Sequence, residues 1–167
     1  ESASHLAGRA QNIFINGNLD EAIVKFERVL ADYPNTPGAA QSLVYLLNDA
    51  MTKNDIEEAK SLLNENDGSI NDPHVLAAIY KFKGDISLTE ANFSTALKYF
   101  QKAENIAEGN PAQTGFQLDI STTLLAQNNY KNALQILKKL IDSEDVGFNE
   151  KNIAEELIAY TKQKMGI

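Results

Sequence analysis

Few side chains in this sequence could move protons or hold a metal near neutral pH. There are two histidines, His5 and His74, and no cysteine, which excludes disulfides, zinc–thiolate sites and thiol catalysis. Catalysis needs a reactive group beside a partner that tunes it. His5 stands near the N-terminus and His74 follows Asp72-Pro73 in the first turn of an expected helix, so both read as exposed surface histidines. No HExxH, GxSxG or glycine-rich phosphate loop occurs. The acidic stretches Asn64–Gly68 and Asp142–Gly147 offer oxygens of the kind calcium takes. They lack the alternating ligands and distant glutamate of an EF-hand loop and read as solvated turns. Asn92-Phe93-Ser94 spells a glycosylation sequon, but it falls at a helix start where Phe93 is expected to be buried. The expectation is a non-enzymatic chain without catalytic residues, metal site or cofactor.

Composition narrows the partners. A net charge of −8 argues against nucleic acid, whose phosphates demand a basic surface. It equally disfavours contact with an anionic membrane face. No apolar run approaches the roughly 18 residues that span a bilayer, and no signal peptide is visible. The absence of cysteine fits the cytoplasm or a bacterial periplasm alike. The chain opens at Glu1, already close to a helix, and the expectation is that an upstream targeting or anchoring segment was removed.

What could position a binding surface is a repeat. GNLDEAIVKFERVL from Gly17, NDIEEAKSLLNEN from Asn54, ANFSTALKYFQKA from Ala91 and NNYKNALQILKKL from Asn128 recur at a step of 37 residues. Ala22, Ala59, Ala96 and Ala133 fall in register, as do Phe26, Leu63, Phe100 and Leu137. A fixed period of this size marks a stacked array whose units cannot bury their apolar faces alone. Between the copies lie four further helical segments, roughly Ala3 to Asn16, Pro37 to Thr52, Pro73 to Thr89 and Pro111 to Gln127. Three open on a cap residue and a proline: Thr36-Pro37, Asp72-Pro73 and Asn110-Pro111. Each pair closes on a short polar turn suited to left-handed backbone, such as Asn16-Gly17-Asn18 or Gln127-Asn128-Asn129. An amphipathic stretch over 149–164 is expected to cap the array. The second copy runs into Asn64-Glu65-Asn66-Asp67-Gly68, so its helix should end early and be locally weakest.

This alternation, with an alanine four residues before a large apolar side chain and an aromatic after the turn, resembles the tetratricopeptide repeat (TPR). Ala22, Phe26 and Pro34 carry the likeness in the first unit. Tyr80, Gly84, Phe93, Ala96, Phe100 and Ala103 carry it in the third, and Leu43, Leu46, Ala59, Ile120 and Ala133 in the second and fourth. Leu47 and Ser121 replace the family's first-helix glycine, and the step exceeds the family's usual period, so longer loops are expected between pairs. The resemblance implies an all-α, right-handed TPR-like superhelix forming a single domain over 1–167. Its four helix-turn-helix units span approximately 3–36, 37–71, 72–110 and 111–145, followed by the capping helix.

It further implies a concave groove lined by the first helices. Carried onto this sequence, the groove positions form a polar column (Gln11, Asn48, Asp85, Thr122), an apolar column (Phe14, Met51, Leu88, Leu125) and a mixed column (Ala7, Val44, Lys81, Leu118) with Tyr45 beside Val44. Apolar anchors beside amides suit an extended or helical peptide. The alternative is that the apolar column packs between the helices of each pair. Lys81 faces Asp85 one turn on, which suits a surface ion pair. The lysine-and-asparagine clamp by which some relatives hold a terminal carboxylate is missing, so a C-terminal-acid ligand is not expected. The run from Phe26 through Tyr33-Pro34-Asn35-Thr36 to Ala39 is similar to repeats of bacterial periplasmic envelope proteins. The expected function is a protein-interaction scaffold in an envelope complex, in the periplasm or else the cytoplasm. The alternative is a self-associating subunit forming a homo-oligomer.

Overall fold

A computed structural model describes residues 2–66, 68 and 70–167, and every regular element among them is an α-helix. The helices are α1 (Ala3–Ile15), α2 (Leu19–Asp32), α3 (Pro37–Thr52), α4 (Ile56–Glu65), α5 (Pro73–Thr89), α6 (Phe93–Ile106), α7 (Gln113–Ala126), α8 (Tyr130–Asp142) and α9 (Phe148–Met165). Glu1 and Asp67, on which the upstream-segment and part of the calcium expectations fall, lie outside the described residues.

Helix starts follow from side chains that accept the orphan N–H groups of a first turn. Thr36 Oγ1 accepts from Ala39 N at 3.2 Å ahead of Pro37. Asp72 Oδ1 accepts from His74 N and Val75 N at 2.8 and 3.1 Å. The third cap-proline signal misplaces its helix. Asn110 Oδ1 accepts from Ala112 N at 2.9 Å, and Gln113 N donates to Asn110 O, three residues back. That tight turn takes up Pro111 and Ala112, so α7 begins at Gln113 instead of Pro111.

The turns inside the pairs share one geometry. Gly17, Asn54, Ala91 and Asn128 stand one repeat step apart, with φ of 86°, 57°, 56° and 59°. In each turn the next residue donates back across the helix end, as Asn18 N does to Ile13 O and Asn129 N to Leu124 O, at 3.2 and 2.8 Å. This double bond pattern closes the carbonyls that a helix terminus leaves open. The second copy is the short one: α4 has 10 residues where α2 and α6 have 14.

By contact density the chain divides into two compact units, 1–79 and 80–167, with the boundary inside α5. In the first, α1, α2 and α3 pack on one another and α3 packs on α4; in the second, α6, α7, α8 and α9 pack in succession. The register alanines Ala22, Ala59, Ala96 and Ala133 are fully buried, as are Phe26, Phe100 and Leu137. Burying a side chain as large as those last three stabilises by roughly 1.5–3 kcal/mol. Close approach explains two glycines. A Cβ on Gly84 would fall 2.4 Å from the Phe100 ring, and one on Gly38 would fall 2.4 Å from the Ala3 backbone. The α9 helix seats Ala154 and Ile158 against Leu134, Leu137 and Leu140 of α8.

Candidate partner-binding face

In the first unit, α1 and α3 lie side by side and bring several groove positions together. Gln41 Nε2 donates to Gln11 Oε1 at 3.0 Å, bridging the two helices. Phe14 meets Tyr45 edge-on at 5.2 Å, and Tyr45 stacks flat on buried Phe26 at 4.5 Å. Such ring pairs add to area burial and fix orientation. Val44 and Met51 are half-buried, while Asn48 is exposed. The face is therefore polar at Gln11 and Asn48, apolar at Phe14 and Met51, and held rigid by the aromatic stack beneath. Ala7 is fully buried in the core with Ala3 and Val29 and does not reach the surface.

The second unit is built differently. Lys81 Nζ bonds Asp85 Oδ2 at 2.9 Å, the pair that the four-residue spacing implies, and stands 3.6 Å from Asp119 Oδ2. That oxygen is buried and receives no hydrogen bond from the described residues; 3.6 Å is close enough for charge attraction and too long for a hydrogen bond. Burial pushes the Asp119 carboxyl above its ordinary range, with Asp85 adding to the effect and Lys81 opposing it. Burial lowers the Lys81 ammonium, but the two carboxylates outweigh it and leave its pKa raised. Thr122 is exposed, its hydroxyl turned back to Leu118 O and Asp119 O at 3.1 and 3.0 Å.

The apolar column in this unit points inward. Leu125 is a core residue with Ala96, Phe100, Ile120 and Leu124, and Leu88 packs against the same cluster. Leu118 packs against the α8–α9 core. Leu88, Leu118 and Leu125 thus pack inward, and only Lys81, Asp85 and Thr122 of this unit's groove positions present polar side-chain atoms to solvent.

Two participants were missed by sequence reasoning. Asp119 lies two repeat steps on from Tyr45, so carrying the Tyr45 column forward would have found it. Gln41 had no such signal, because Ser4 and Ala78 occupy its column one step either side. His5 and His74 are exposed, at the starts of α1 and α5. No group of three or more His, Asp or Glu side chains among the described residues could hold a metal ion, and no described helix is long and apolar enough to cross a membrane.

Residues 6–36, which span most of α1, all of α2 and the Thr36 cap, match the tetratricopeptide repeat family profile. The fold is of the tetratricopeptide-repeat type. Crystal structures of a Podosopora anserina protein described as a kinesin light chain with nearly identical TPR-like repeats superpose with a TM-score of 0.73. They share 16% identity with this chain and cover 99% of it and 89% of their own length. YrrB, described as a TPR protein with an unusual peptide-binding site, superposes at 0.63 with 16% identity, over 94% of this chain and 76% of its own. No curated protein sequence matches the chain.

Proposed function

We propose that this protein is a non-catalytic scaffold that holds a segment of a partner protein on the face of its first helices. The observation carrying this reading is the α1–α3 surface, where exposed Asn48 and bridged Gln11 flank Phe14 and Met51 over the Tyr45–Phe26 stack. Apolar anchors with adjacent amides supply affinity and register to an extended or helical peptide. That fold neighbours of this type include a peptide-binding protein supports the class of ligand. The reading extends to a bacterial envelope complex facing the periplasm, on the strength of the Phe26–Ala39 run.

The test is a display selection of random peptides against the whole chain, followed by titration of the enriched sequences on Asn48→Arg/Met51→Lys. Asn48 is exposed and Met51 half-buried, so the helical fold should survive, which circular dichroism checks. Enriched peptides should share apolar anchors and lose about tenfold or more in affinity, as expected for disrupted anchor contacts. Undiminished binding by the folded variant sinks the reading. Self-association has exposed Phe148, Ile153 and Tyr160 on α9 in its favour, and a strict monomer in sedimentation excludes it.

A further inference from the structure

A second surface lies on the α1–α2 pair, away from the Phe14–Tyr45 face. Leu6, Arg9, Lys25, Arg28, Val29 and Tyr33 line an open cavity of about 440 Å³. The repeat identifies what kind of surface this is. One step on, Leu43 and Leu46 of α3 and Leu62 of α4 occupy the places of Leu6, Arg9 and Lys25; all three are buried, and α3 packs against both α2 and α4. Three steps on, Gln117, Ile120, Ile136 and Lys139 occupy the places of Leu6, Arg9, Lys25 and Arg28. There α6 lies across them, sharing a crevice of about 200 Å³ into which it sends Gln101 and Glu104. Gln117 Nε2 donates to Glu104 Oε1 at 2.8 Å. In this chain the face is a seat for an amphipathic helix, and where α6 fills it, that helix brings a carboxylate.

On the first pair the seat keeps an apolar floor, with Val29 buried in the core and Leu6 packed against it. Its middle is changed: Arg9 and Lys25 replace two leucines, and Arg28 joins them. They include both arginines of a chain that has 23 acidic and 15 basic residues. A face that serves only to be solvated can use charge of either sign. The guanidinium fork is instead the group that reads carboxylates in paired hydrogen bonds. Lys25 and Arg28 meet Glu21 and Asp32 at 3.3 and 3.2 Å, in exposed pairs within α2 that are weak enough to exchange for incoming carboxylates.

We propose that the outer face of α1–α2 is a second docking site, for an amphipathic helix of a partner protein that carries carboxylates along the edge of its apolar stripe. Leu6, Val29 and Tyr33 receive the stripe, and Arg9, Lys25 and Arg28 receive the acids.

The probe is a fluorescent, hydrocarbon-stapled helix of about 18 residues, above the length at which isolated helices are marginal. It carries leucines along one stripe and glutamates beside it; its twin has lysine for every glutamate. Anisotropy titrations on the whole chain should show saturable binding of the glutamate helix, weakened by salt, and none of its twin. Lys25→Glu/Arg28→Glu reverses two side chains that are 41% and 83% exposed and should weaken binding about tenfold or more, as expected for close charge pairs. The same reversal at exposed Lys131 and Lys138 should leave it unchanged. Should the double reversal lower helicity, R28Q carries the same comparison. Absent binding, equal binding of the two helices, or undiminished binding by the folded variant overturns the proposal. So does wild-type self-association in sedimentation that the double reversal abolishes, since the seat would then belong to a second copy.

Discussion

Alanine is the least suited of the four residues that hold the left-handed turns. Gly17 needs no correction at φ 86°, and asparagines such as Asn54 and Asn128 tolerate the region, but Ala91 holds φ 56° with a Cβ against its own carbonyl. That strain is about 1–2 kcal/mol for an L-residue, partly offset by the entropy glycine loses on folding. Ala91→Gly should therefore raise stability by about 0.5–1 kcal/mol, read as a higher urea midpoint at unchanged slope; a lower midpoint refutes the assignment of strain. Asp119 carries a different cost. Its folded pKa lies above the ordinary 3.8 because burial outweighs Lys81. The folded state thus holds the proton more tightly than the unfolded one, and the chain loses stability as pH rises from the ordinary value through the raised one. Asp119→Asn cannot lose stability this way. Its stability relative to the parent should increase between pH 3 and pH 7 in denaturation series at each pH, and a gap that stays constant or narrows refutes the buried-carboxylate account.

At the scale of elements, what could be read from the sequence was what backbone chemistry decides locally. Thr36-Pro37 and Asp72-Pro73 mark α3 and α5 to the residue, because the cap oxygen and the missing proline N–H act within one turn. The early end of α4 was legible for the same reason, in the polar run that replaces apolar positions. Asn110-Pro111 shows the limit: the same letters support a two-residue turn once Gln113 Oε1 reaches back to Gly109 N at 3.3 Å. The groove columns were less legible. A 37-residue step fixes which positions are equivalent but not which way a side chain turns when its neighbours change size. Phe14 and Leu125 share a column, yet Phe14 leans on Tyr45 while Leu125 sinks beside Phe100. Two steps on from Tyr45 stands Asp119, so on α7 no ring occupies that position to brace an open apolar face.

For the whole molecule, the repeat makes stability a matter of neighbours. Within each unit a helix packs on those beside it in sequence, so damage should spread from a contact in steps and fade with distance along the array. The α9 helix is where this can be tested. Ile158 is 8% exposed and packs with Leu134, Leu137 and Leu140, closing the apolar side of α8. Ile158→Ala removes three methyl or methylene groups from that seam and should cost about 2–5 kcal/mol locally, depending on how far the site collapses. Hydrogen exchange resolves where the loss falls. Amides of α8 and α9 should exchange markedly faster, those of α7 less so through its contact with both, and those of α1 to α3 at the parental rate. If protection instead falls evenly from α1 to α9, the chain opens as one cooperative body and the nearest-neighbour account fails. If only α9 frays, its apolar face contributes less to α8 than the buried leucines imply. The graded result alone fits a unit in which each helix completes the core of the one before it.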